Sequence, residues 1–107
     1  MSTPRRPIPV PSTASSGLHR ETRTTADREV EVTVHYEHEG RFFSTSMRCR
    51  HPHRHEMRQA ELVWIADDCF RAGLLAIQRL VRRYNAGTLP SHSPGMVPFP
   101  LFNHAGD

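Results

Sequence analysis

Lysine is missing from this chain, and all fourteen basic residues are arginine. Schiff-base chemistry, a phosphate-loop lysine and lysine acetylation are excluded with it. The bias is explained more simply by GC-rich arginine codons than by selection for bidentate phosphate forks. Cysteine is scarce: Cys49 and Cys69 alone cannot make a disulfide framework, so two buried thiols in a reducing compartment are the expectation. Long apolar runs are lacking too. Nothing approaches the ~20 residues of a membrane helix, and the opening Met1-Ser2-Thr3-Pro4-Arg5-Arg6-Pro7 is no secretory signal. A cytoplasmic protein with no membrane partner is expected. Dense charge is the last absence. The net +3 divides into +2 over residues 1–27, +2 over 28–87 and −1 over 88–107, which supports nucleic-acid binding only weakly.

The segment that remains is patterned. Val30, Val32, Val34 and Tyr36 alternate with Glu31, Thr33, His35 and Glu37, the period-two signature of a half-buried strand. Glu39-Gly40 then marks a turn. If those two residues form the loop, Tyr36 lies opposite Phe43, Val34 opposite Thr45, Val32 opposite Met47 and Val30 opposite Cys49 on one largely apolar face. Glu31 with Arg48, Thr33 with Ser46, His35 with Ser44 and Glu37 with Phe42 form the other. A slip of one residue would turn a strand's whole apolar set over, so this register is strongly specified.

A long amphipathic helix follows, starting in Pro52–Met57 and ending at Asn85, with Gly87 as terminator. Leu62, Val63, Ala66, Cys69, Phe70, Gly73, Leu74, Ala76, Ile77, Leu80, Val81 and Tyr84 fall in one broad arc that should cover the hairpin. Trp64, Ile65 and Leu75 sit outside it among charged residues. Gly73 costs ~1 kcal/mol of helix propensity relative to alanine and points to a close approach by another backbone.

The expected fold is therefore α+β, an antiparallel β-hairpin packed on one amphipathic helix over residues 28–87. Residues 1–27, rich in Pro, Ser, Thr and Arg, read as a disordered tail. Residues 88–107 carry prolines at 90, 94, 98 and 100, which exclude regular helix, yet hold Met96, Val97, Phe99, Leu101 and Phe102. Such a segment docks on its own domain or in a partner's groove. A lone hairpin leaves two open edges over a thin core, so a homodimer with a four-stranded sheet is expected.

Chemistry is hard to find. Asp67 and Asp68 are helix neighbours ~100° apart and cannot converge, and no nucleophile elbow, phosphate loop or dinucleotide fingerprint occurs. Cys49-Arg50-His51-Pro52-His53-Arg54-His55 has metal-binding residue types without a structural-site spacing, so no metal and no cofactor are expected. The favoured reading is a non-catalytic accessory or regulatory protein that binds another protein through Trp64, Ile65, Arg71, Leu75, Phe99 and Phe102, since aromatic and arginine side chains are the usual anchors of interfaces. The alternative is a nucleic-acid-binding regulator using Arg48, Arg50, Arg54 and Arg58, opposed by Glu29, Glu31, Glu37 and Glu39 on the same sheet.

Overall fold

The computed structural model describes residues 6–87. Strands β1 (Leu18–Thr24), β2 (Val30–His38) and β3 (Arg41–Cys49) form one antiparallel sheet in the order β1-β2-β3. A single 3-10 turn over Arg54–Glu56 leads to helix α1 (Gln59–Asn85), which packs on β2 and β3. The protein is thus α+β, three antiparallel strands against one long helix.

The β2–β3 register is the one that sorts the two faces, with Tyr36 opposite Phe43, Val34 opposite Thr45, Val32 opposite Met47 and Val30 opposite Cys49. Its turn has Glu39 at φ 49° and Gly40 at φ 81°, two consecutive left-handed residues whose twist matches that of the strands they join. The face toward α1 builds the core. Val30, Val32, Val34, Tyr36 and Phe43 pack with Leu62, Ala66, Ile77, Leu80 and Val81. Gly73 lies over β2 and β3. A Cβ there would meet Val34 Cγ2 at 2.7 Å, so the close approach is by a side chain rather than a backbone.

The third strand departs from the sequence expectation. Leu18–Thr24 falls in the segment read as a disordered tail, yet it pairs with β2 along its length, from Leu18 opposite Tyr36 to Thr24 opposite Val30. Only Leu18 among its residues is apolar, so it has no period-two signal. It is held by backbone pairing to the free edge of β2, by Arg20 bonded to Asp67 at 2.8 Å and stacked over Phe70, and by Arg23 on Glu31. Upstream, Ile8 and Pro11 are buried. Asn85 clamps Ile8 by accepting from its N–H and donating to its carbonyl, both at 2.8 Å, while Tyr36 and Gln78 donate to the carbonyls of Pro9 and Pro11.

The helix also begins later than its sequence pattern implies. The Arg28 guanidinium donates to the carbonyls of Arg54 and Met57, and Arg54 donates to the Asp27 carbonyl and carboxylate. These bonds hold residues 54–56 in a short turn followed by extended Met57. At the helix start, Glu61 accepts the Arg58 N–H at 2.8 Å, satisfying one otherwise unpaired donor. Gly87, at φ 75°, closes the other end by donating to the Tyr84 carbonyl. Val63, placed by the helical arc in the core, is 47% exposed.

On the outer face of the sheet, Glu31 sits between Arg23 and Arg48. Their hydrogen bonds hold its carboxyl below the ordinary value of 4.5. The stabilisation is fully present above the unfolded carboxyl's value and fades as pH falls below it. Glu31→Gln is expected to cost about 1 kcal/mol at most at neutral pH, since both arginines are largely exposed and screened. It should also flatten the loss of stability below pH 4.5. Urea melts at neutral pH and on acidification below the carboxyl range check this, and equal losses for both proteins on acidification would remove Glu31 as the cause.

Candidate interaction surface

Helical geometry places Trp64, Arg71 and Leu75 on one strip of α1, away from the sheet. Trp64 is 66% and Leu75 56% exposed. Arg71, on the same strip, pairs with Asp68 at 2.6 Å. Ile65 does not share that exposure. It is half-buried against the core and lines a cleft of about 320 Å³ with Met47, Cys49, Cys69 and Ala72. Phe99 and Phe102 lie outside the described residues.

The cleft lies at the C-terminal end of β3, whose outer edge, like that of β1, has no strand neighbour among the described residues. Two further residues mark this side of the molecule. Phe42 is 51% exposed on the outer face of β3, where its ring lies 5.4 Å from that of His35. Thr45, at the centre of the strand, is 1% exposed, and its hydroxyl is buried with no hydrogen-bond partner among the described residues. An unpartnered buried hydroxyl costs about 1–3 kcal/mol. Both were visible in the sequence as mismatches, an aromatic on the polar face and a hydroxyl on the apolar one.

Cys49 and Cys69 both face this cleft. Burial, then the neighbouring Cys49 thiol and Asp68, pushes Cys69 up to about 11, and burial raises Cys49 too. Both are protonated at neutral pH, which makes them poor nucleophiles and poor metal ligands. In the histidine segment, His51 accepts the His53 N–H and His55 stands 3.3 Å from Asp27. Among the described residues no group of three or more His, Cys, Asp or Glu is placed to hold a metal ion.

The arginines of the basic patch have carboxylate partners. Arg48 meets Glu31 and Glu29, Arg50 meets Glu29 and Asp27, Arg54 meets Asp27, and Arg58 meets Glu61. Arg54 is further tied to backbone carbonyls and is largely buried. Among the described residues no helix is both long and apolar enough to cross a membrane. Comparison with protein-family models, with characterised proteins and with solved structures found no match to this chain.

Proposed function

We propose that this chain is a small, cytoplasmic, non-catalytic accessory or regulatory protein that self-associates and binds another protein through the outer strip of α1. The observation that carries the reading is the exposure of Trp64 and Leu75 on either side of Arg71. Exposed tryptophan beside arginine is the composition of an energetic hot spot, and nothing in the core needs either apolar side chain there. The protonated thiols favour binding over catalysis. The nucleic-acid reading gains little from the arginines, because each of Arg48, Arg50, Arg54 and Arg58 already faces a carboxylate that would repel phosphate.

Trp64→Ala is expected to weaken partner binding by about 2 kcal/mol or more while leaving the thermal melt of the isolated protein nearly unchanged. Affinity purification from the native host with wild type and Trp64→Ala, followed by identification of bound protein and nucleic acid, tests this. A protein recovered by wild type and lost with Trp64→Ala supports the reading. Recovery of nuclease-sensitive, salt-sensitive nucleic acid, unaffected by Trp64→Ala, would replace it with the alternative.

A further inference from the structure

The two edges of the sheet are chemically different. β1 carries Arg20, Glu21 and Arg23, and Arg20 lies on the helix side, where an inward-pointing charge protects an edge from further pairing. β3 has an uncharged centre, Ser44-Thr45-Ser46, and the apolar cleft adjoins its C-terminal end at Met47–Cys49. Its backbone polarity is set by the turn. A two-residue hairpin loop makes His38 and Arg41 a hydrogen-bonded pair, so alternation turns the N–H and C=O groups of Phe43, Thr45 and Met47 toward β2. Those of Phe42, Ser44, Ser46 and Arg48 point outward.

We infer that β3 pairs antiparallel with β3 of a second copy, about a two-fold axis at Thr45, giving a six-stranded sheet with both helices on one face. This deepens the self-association in the proposed function and rests on it. Among antiparallel registers that keep both helices on one side, only this one pairs all nine residues of Arg41–Cys49 in both copies. Every outward backbone group of the strand then finds a partner. On the outer face, exposed Phe42 falls opposite Arg48 of the second copy, a cation–π pairing, and Ser44 falls opposite Ser46. On the helix side Phe43 meets Met47. Thr45 meets Thr45 in a non-hydrogen-bonded pair, the closer kind, where two hydroxyls can bond to each other and the unpartnered buried oxygen is satisfied.

The helices fit the same geometry. Strands lie about 4.8 Å apart, so a helix resting over β2 and β3 has its axis about 5 Å from the two-fold, and the two axes come roughly 10 Å apart. That is the spacing of directly packed helices. The flank of α1 that would meet its mate carries Ile65, Cys69 and Ala72, which line the cleft in the single copy. Trp64 and Leu75 remain outside the new seam.

Two substitutions in the full-length chain test the pairing. Thr45→Cys places two thiols across the axis at a separation a disulfide can span. Under mild oxidation a covalent dimer is expected, with the 42–48 tryptic peptide linked to a second copy of itself, distinct from any product of Cys49 or Cys69. Ser46→Pro removes an outward N–H from an edge strand while keeping the β2–β3 ladder. It should raise the dimer dissociation constant, read by sedimentation, about tenfold or more, as two lost hydrogen bonds require, with the circular dichroism spectrum unchanged. A wild-type monomer at micromolar concentration, with β3 open or covered by residues 88–107, would overturn the inference. So would a dimer in which Thr45→Cys yields no covalent link and Ser46→Pro has no effect. A monomer that still recovers a Trp64-dependent partner removes the edge pairing and leaves the partner-binding reading standing; a β3-paired dimer without such a partner does the reverse.

Discussion

Val32→Asp is expected to leave the chain unfolded at neutral pH and room temperature. Val32 is fully buried in β2, between Thr22 of β1 and Met47 of β3 and beneath α1. The substitution forfeits about 1.5–3 kcal/mol of apolar burial and places a carboxylate where no cation can reach it. A domain of this size has a total stability of roughly 4–12 kcal/mol, and a buried unpaired charge belongs to the few changes that cost more than about 4 kcal/mol. The cheapest response is protonation, so the introduced carboxyl's value would be raised in any folded form. Its penalty then shrinks as pH falls and grows as pH rises above the unfolded value of about 4. Val32→Ala, which only removes volume, should stay folded with a lowered melting temperature. Circular dichroism melts decide the matter. An Asp variant that melts within a few degrees of wild type would mean that Val32 does not face the helix.

Gly73→Leu has the next largest expected effect. Gly73 is buried in the middle of α1, and its position over Val34 and Met47 leaves no room for a side chain. The first added carbon alone would stand 2.7 Å from Val34 Cγ2, which requires the valine or the helix to shift. For Gly73→Ala, a gain of up to ~1 kcal/mol in helix propensity opposes the crowding, and a small net loss is expected. Leucine adds three more carbons to a site that the first already overfills, so a loss of ~3 kcal/mol or more is expected, with α1 lifted from the sheet. Stability comparable to wild type in urea would show that α1 sits farther from β2 than this contact requires.

The pattern of legibility follows from which interactions leave a periodic trace. The β2–β3 hairpin was readable residue by residue, because Val30, Val32, Val34 and Tyr36 face one way and their partners across the turn agree. Most of the α1 core stripe was readable for the same reason, through Leu62, Ala66, Ile77, Leu80 and Val81. Trp64 and Leu75 stood out as apolar residues on the wrong side of that stripe, and their exposure agrees. Val63 did not follow: it lies at the margin of the arc, near the start of the helix, and is 47% exposed.

The sequence by itself determined the register, the turn and the buried face of the helix, since each depends on which side of a regular element an apolar side chain falls. Tertiary structure alone decided that Leu18–Thr24 is a strand and that Ile8–Pro11 lies against α1 and β2. Backbone pairing carries almost no side-chain signature, and a strand as polar as β1 forms because β2 offers it a free edge. The late start of α1 was decided the same way, by Arg28 and Arg54 reaching carbonyls that are distant in sequence. The contrast between a β1 edge charged at its centre and a β3 edge whose centre, Ser44-Thr45-Ser46, is uncharged exists only once three strands, rather than two, are in place.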